Sequence, residues 1–346
     1  MFQSPTNVLT QKHALAGAMT LAPASSQARR LPHVDDDTPP LTRLGAVLLL
    51  VRVPLTLLRL FLLACVLFTW VLFLRLSAAP RLPAGAHLDT PRFRRYKPLV
   101  IASTFCVGRC AMYALGFRVR VVDESGALAT AYASCTAAAV VVNHISYLDP
   151  FVVGAATGPY FSVANKFVST MPLIGTVLRL FGQVPVDAST SVSASITDRA
   201  RRTGCWDLHP PLLVFPEGTC TNGHHLLRFK TGGFLSGQPV MPVILRYNTG
   251  AVNAGWVWRP RATRCSFYHR LPTEFVHLAR LIGRPWSGTV EVRILPPYAP
   301  SAAEQADPRL FAAGVRAAMA RALGVPLAEE WSAEDAKAFY ATLRRQ

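Results

Sequence analysis

Hydrophobic and polar positions divide the chain into three regimes. Residues 1–40 mix Ser, Thr, Pro, Ala and Gln with an acidic cluster, Asp35-Asp36-Asp37, and keep no period, so a disordered tail is expected there. From Leu44 to Leu76 the chain is almost wholly apolar, "LGAVLLLVRVPLTLLRLFLLACVLFTWVLFLRL", with Arg52, Pro54 and Arg59 as interruptions in its first half. This is long enough to enter a bilayer, which about 20 residues cross. The run from Leu60 to Leu74 is shorter than a full span, and Pro54 is expected to kink the helix, so the segment either spans or dips in and returns. As a buried core helix it would need partners for its arginines, whereas near headgroups they can snorkel. A second, weaker apolar stretch covers 99–117. The cluster Arg92, Arg94, Arg95 and Lys97 ahead of it reads as cytoplasmic flanking charge against anionic lipid.

After residue 117 the pattern changes to short β-rich runs alternating with helical ones. "FRVRVV" (117–122), "AAAVVVN" (137–143), "PLLVFPEG" (211–218), "VMPVILRY" (240–247) and "GTVEVRIL" (288–295) read as buried strands. Helices are expected near 150–157, 173–181, 190–202 and 307–323. The first three strands are spaced for intervening helices. The fold class is therefore α/β, a central, largely parallel mixed sheet flanked by helices and preceded by a hydrophobic membrane-anchoring helical segment. The expected organisation is a tail (1–40), a membrane-associated helical region (41–117), a catalytic domain (118–335) and a C-terminal tail (336–346).

Composition narrows the partners. Hydrophobic residues make up 51% of the chain and charged ones 16%, which favours contact with lipid. Lys and Arg outnumber Asp and Glu by 36 to 19, a net charge of +17 that favours an anionic partner. The excess is scattered, with no basic helix, zinc-finger spacing or RNA-binding aromatic signature, so a membrane and phosphate-bearing small molecules fit better than nucleic acid. Seven cysteines without a C-x-x-C pair indicate neither a zinc site nor a disulfide framework. The absence of an N-x-Ser/Thr sequon and of an apolar core near Met1 agrees with a cytosol-facing body without a secretory signal.

Two polar signals follow strands directly, where parallel sheets bind ligands. One is "VVVNHISYLDPF" (140–151); the other is "FPEGTCTNG" (215–223). A histidine takes a proton from a hydroxyl when something holds its ring in the right tautomer. His144 is the candidate for that base, and Asp149, returned by the intervening turn, is placed to accept the other ring N–H and stabilise the imidazolium. Ser146 offers a rival reading as a nucleophile, though its spacing matches no strand-to-helix nucleophile elbow.

These words resemble the N-H-x4-D and F-P-E-G-T motifs of the glycerolipid acyltransferase superfamily. "KFVSTMPLIGTVLRLFGQVPVD" (166–187) and "VMPVILRY" resemble its other two blocks, in order. Within it, "FPEGTCTNG", "LLRFKTGGF" (226–234), "LRYNTGAVNAGWVW" (245–258) and 294–326 are most similar to the lysophosphatidylcholine acyltransferases, a likeness covering residues 44–335. The resemblance implies transfer of an acyl chain from acyl-CoA, a co-substrate and not a bound cofactor, to the free glycerol hydroxyl of a lysophospholipid. Glycerol-3-phosphate or lysophosphatidate is the alternative acceptor. It implies no metal, a membrane location at the endoplasmic reticulum, and a catalytic domain facing the cytosol. His144 and Asp149 would be catalytic. Asn143, Glu217, Gly218, Thr219, Lys166, Arg228 and Lys230 would bind substrate, Glu217 at the acceptor, Gly218 and Thr219 through main-chain amides, and the cations at phosphates.

The sequence departs from the family where many members place an acceptor-gripping arginine: "VPVDAST" has Asp187-Ala188 there, which disfavours a dianionic phosphomonoester and suits a zwitterionic lysolipid. No D-x-[DN]-x-[DN]-G loop occurs, so calcium control through such loops is not expected. Two classes outside acyl transfer stay open: a lipid or thioester hydrolase using Ser146, and a non-catalytic lipid-binding scaffold.

Overall fold

Hydrophobic runs and their interruptions become elements in a computed structural model that describes residues 43–77, 97–123, 126–128, 137–158, 160–165, 184–186, 211–255, 273–329, 331–332 and 334–335. The expected tails, the arginines at 92–95, the helices at 173–181 and 190–202, Lys166 and Asp187-Ala188 lie outside those residues.

The apolar segment forms one helix, α1 (Arg43–Ser77), about 52 Å long at 1.5 Å per residue. It is continuous through Pro54. Beyond the proline, Thr56 Oγ1 donates to Arg52 O at 2.9 Å. Val47–Leu74 is long and apolar enough to cross a membrane. Leu44, Val51, Phe61 and Leu76 are 70%, 71%, 65% and 72% exposed, which a helix buried in a protein core would not tolerate. The opposite stripe, including Leu49, Leu67, Trp70 and Leu74, is buried. Trp70 Nε1 donates to Ser103 Oγ of α2 (Lys97–Ala114) at 3.1 Å.

Arg59 departs from the snorkelling expected of it. It is 7% exposed, and its guanidinium donates to Leu115 O (3.3 Å), Pro285 O (2.8 Å), Ser287 Oγ (2.7 Å) and Ile282 O. Those acceptors lie in the turn after α2 and at the end of α4 (Thr273–Ile282), an amphipathic helix the sequence reading did not anticipate. Gly116, at φ +82°, makes room: a β-carbon there would stand 2.5 Å from the guanidinium. A desolvated charge with four acceptors thus clamps α1 to the catalytic body.

Among the described residues the sheet has seven strands: β1 (Phe117–Asp123), β2 (Ala139–Val142), β3 (Phe161–Asn165), β4 (Val184–Val186), β5 (Leu212–Val214), β6 (Val240–Asn248) and β7 (Gly288–Ile294). Their order is β1-β7-β6-β2-β5-β3-β4, and five of the six neighbour pairings are parallel, with β6–β7 antiparallel. The mixed, largely parallel expectation is met. The first predicted strand, however, pairs with the last at one edge of the sheet, away from β2. The short strands β3 and β4 carry too little pattern to be read from sequence.

β2 feeds two cores because alternate residues face opposite sides. Val140 and Val142 pack with Val152 and Val153 of α3 (Asp149–Thr157), and Ala139 and Val141 pack with Phe311, Val315 and Met319 of α6 (Pro308–Leu323). Short α5 (Ala302–Ala306) opens on a capping box between Ser301 and Glu304.

Candidate active site

Parallel pairing of β2 with β5 sets Val141 opposite Val214. Three residues beyond each stand His144 and Glu217, so the two motifs, 73 positions apart in the chain, meet by register. His144 N donates to Glu217 Oε1 at 2.8 Å. His144 O accepts from Thr221 N (2.9 Å) and Thr221 Oγ1 (3.2 Å). The histidine backbone is thereby held from both sides by the F-P-E-G-T loop.

After His144 the chain turns, with Asp149 N donating to Ser146 O at 3.0 Å, and α3 begins at Asp149. Pro150 fits the first turn, where no helical N–H is required. Asp149 is wholly buried. Its Oδ2 accepts from Ile145 N (2.7 Å), Ser146 N (2.9 Å) and the His144 ring at Nδ1 (2.9 Å). Its Oδ1 accepts from the Tyr247 hydroxyl of β6 at 2.7 Å. A carboxylate receiving four donors acts as acceptor alone, which assigns the ring proton to Nδ1 and leaves Nε2 as the basic nitrogen. The helix N-terminus favours that negative charge as well.

Phe215 stacks on the imidazole, centroids 4.4 Å apart at 25°. The His144 side chain is 20% exposed, with Nε2 lying 3.4 Å from Cys220 Sγ. Burial of the ring works against protonation, yet the Cys220 sulfur and the Asp149 carboxylate outweigh it and hold the imidazole well above the ordinary histidine range.

Several residues sit differently from the roles expected of them. Glu217 is wholly buried, and its second oxygen accepts from Leu227 N at 3.1 Å, so both oxygens serve main-chain amides and neither faces an acceptor. Burial pushes its carboxyl up to about 7, against the lowering by those two amides. Asn143 is also buried: its Nδ2 donates to Leu245 O (3.1 Å) and its Oδ1 accepts from Leu245 N (2.8 Å), clasping the end of β2 to β6. The Gly218 amide, expected to face an anion, closes a turn onto Phe215 O at 3.1 Å. Gly218 has φ +69°, a left-handed conformation that favours glycine, and it lies against Lys230 Cε. Ser146 is buried, and its Oγ accepts from Leu148 N at 3.3 Å inside its own turn; the hydrogen-bond partners of His144 are Asp149 and Cys220.

The two described cations differ. Lys230 lies along Gly218 at the loop and pairs with Glu334 at 2.8 Å in a solvated bridge worth little in itself. Arg228 is exposed and donates to Glu329 O at 3.0 Å. Buried Arg316 of α6 holds the same loop by donating to Leu226 O (2.8 Å) and Ala328 O (3.0 Å). Thr219 is half-buried beside Cys220.

Three residues of this site escaped the sequence reading: Tyr247, Cys220 and Phe215. Tyr247 offered one hint, a phenol in an apolar strand, whose hydroxyl must find a partner when buried. Cys220 and Phe215 stood within the second motif without a role.

Residues 131–246 match the Acyltransferase family model. The chain is 36% identical over 211 residues to lysophospholipid acyltransferase LPEAT1 of Arabidopsis thaliana, covering 59% of this chain and 49% of that protein. It is 32% identical over 292 residues to human lysophospholipid acyltransferase LPCAT4, covering 83% and 50%, and 35% identical over 208 residues to the lysophosphatidylcholine acyltransferase of Drosophila melanogaster, covering 57% and 34%. The chain thus spans a third to a half of the length of these relatives. Among solved structures, the 1-acyl-sn-glycerophosphate acyltransferase PlsC of Thermotoga maritima shares the fold, with a TM-score of 0.52 at 19% identity over 79% of this chain and 95% of that one.

Proposed function

We propose, for a chain that carries an acyltransferase domain of the glycerolipid superfamily, that it transfers a fatty acyl chain from acyl-CoA to the free glycerol hydroxyl of a lysophospholipid. One observation carries the reading: His144 is hydrogen-bonded at Nδ1 to a wholly buried carboxylate, its side chain is partly exposed, and among the described residues the group at its Nε2 is Cys220 Sγ and no serine hydroxyl bonds the ring. A base without a serine calls for a nucleophile supplied by the substrate. The acceptor hydroxyl displaces the weakly held thiol of Cys220 and hands its proton to Nε2 as its oxygen attacks the thioester carbonyl. Asp149 stabilises the imidazolium, and the proton then leaves with the coenzyme A sulfur. Base catalysis of this kind contributes about 10² to 10⁴ in rate.

Glu217 and Asn143 act in this reading by holding His144, not by touching substrate. Lys230, beside the Gly218 turn, and Arg228 remain the cations offered to phosphate, and either can exchange its present partner for a ligand at small cost because both are exposed. The acceptor is a lysophosphatidylcholine-type lipid, supported by Asp187-Ala188 in place of an arginine and by the likeness to the subgroup. α1 anchors the domain to a membrane, here assigned to the endoplasmic reticulum with the sheet on the cytosolic side. The test is transfer from labelled oleoyl-CoA by the full chain in detergent across lysophospholipids and glycerol-3-phosphate, beside His144→Ala. Loss of transfer to lysophosphatidylcholine in the variant supports the reading, and transfer confined to phosphomonoesters refutes the acceptor.

A second reading has its own observation. Cys220 Sγ, His144 and Asp149 lie in the order of a thiol triad. Cys220 would attack the acyl-CoA thioester, releasing coenzyme A with the proton His144 removed, and the acceptor would then take the acyl group from sulfur. Acyl-CoA without acceptor then adds one hydroxylamine-labile acyl mass to the chain. Its absence, with transfer retained by Cys220→Ser, excludes the relay.

A further inference from the structure

The buried carboxylate of Asp149 has two oxygens with different company. Oδ2 serves the turn and the imidazole, whereas Oδ1 has as its recorded donor the hydroxyl of Tyr247, 98 residues away on β6. The ring of Tyr247 is set by a neighbour as well: it meets Phe117 of β1 edge-on, centroids 6.2 Å apart at 87°. Burial and the facing Asp149 charge hold the phenol well above its ordinary range, so it remains a donor at every pH at which the protein would be assayed.

From this geometry we infer that Tyr247 is a positioning residue that sets the basicity of His144 through Asp149. The inference rests on the acyl-transfer reading for its catalytic consequence but not for its physical content. A hydrogen bond to Oδ1 draws negative charge away from Oδ2, the oxygen that stabilises the imidazolium. It also stops the carboxylate from turning about its Cβ–Cγ bond, so that Oδ2 stays on Nδ1. Among the described residues, the other groups on His144 are Cys220 at Nε2, Phe215 on the ring face, Glu217 on the main-chain amide and Thr221 on the carbonyl. None of these touches Oδ1. Tyr147, on the turn between His144 and Asp149, is engaged with His277 of α4, its hydroxyl 3.2 Å from Nδ1. Tyr247 thus connects β6 to the imidazole through the Asp149 carboxylate.

Tyr247→Phe removes the oxygen and keeps the ring on Phe117. Two measurements on the full chain in detergent distinguish failure of this inference from failure of the acyl-transfer reading. In the first, the His144 imidazole is titrated by NMR, its resonance identified by its loss in His144→Ala. The titration moves to higher pH in Tyr247→Phe, because the undiluted carboxylate charge favours the imidazolium; an unchanged or lower value overturns the inference whatever reaction the protein catalyses. In the second, acyl transfer is followed against pH. The acid limb of kcat/KM moves up in step with the NMR value and kcat at neutral pH falls about tenfold or more, the scale of one bond to a charged acceptor, with KM for acyl-CoA within about twofold. A fall in kcat that accompanies only a lower thermal midpoint, with the limb unmoved, marks the residue as structural and overturns the inference. No transfer from acyl-CoA to any acceptor by the parent defeats the acyl-transfer reading, and transfer surviving in His144→Ala defeats the role of His144 as its base; either leaves the NMR result standing.

Discussion

Replacing Asp149 with Asn tests the site with least disturbance to the fold. The four donors around the carboxylate decide how the amide would sit. Three of them, Ile145 N, Ser146 N and the ring at Nδ1, converge on Oδ2, so the amide oxygen must occupy that place. The amide nitrogen then faces Tyr247, whose hydroxyl can reverse from donor to acceptor. Every hydrogen bond is kept and only the charge is lost. Opposite charges about 4 Å apart at an effective dielectric near 20 attract by about 4 kcal/mol, which is the stabilisation the imidazolium forfeits. That corresponds to roughly a thousandfold in rate. Labelled acyl transfer by Asp149→Asn, measured beside thermal unfolding, is expected to show this loss with the midpoint of unfolding within about 5 °C of the parent. Transfer within about tenfold of the parent, in a folded variant, would falsify the assignment of Asp149 as partner to the base.

Three further outcomes follow from the same contacts. Arg59→Met leaves carbonyls at Leu115, Ile282 and Pro285 without the guanidinium and should cost about 1–3 kcal/mol for the acceptors left unsatisfied, read as a lowered unfolding midpoint in detergent; a midpoint unchanged from the parent would mean α1 is a separable anchor. Asn143→Ala unclasps β2 from β6, should cost about 1–3 kcal/mol, and should lower transfer through displacement of His144 with acyl-CoA binding retained; a variant equal to the parent in stability and transfer would show that the clasp does not support His144. His144 gives opposite pH trends in activity and stability. Its folded-state value lies above the unfolded one near 6.5, so its pairing stabilises fully below about 6.5 and that contribution fades as pH rises through the folded value, while transfer, which needs the neutral ring, rises over the same interval. Unfolding midpoints of parent and His144→Ala that converge toward low pH would contradict this.

What could be read from the chain alone was whatever depends on neighbours in sequence. The valines of β2, the helix opening at Asp149-Pro150 and the apolar run of α1 are local patterns, and they located the central strand, the turn that brings Asp149 to His144, and the candidate membrane segment. The resemblance of two motifs pointed to the family for the same reason, since each lies within a dozen residues. Tertiary structure decided the rest. Whether Arg59 met lipid headgroups or buried carbonyls depended on α4 and the turn after α2, more than 50 residues away. Whether Glu217 and Asn143 touched substrate or backbone depended on the register of β2 against β5 and β6. A carboxylate that ends a strand is offered to solvent and to main chain alike, and side-chain chemistry cannot say which it meets. Tyr247 reached Asp149 only because β6 lies beside β2 in the sheet, an adjacency between strands nearly a hundred residues apart that local pattern does not encode.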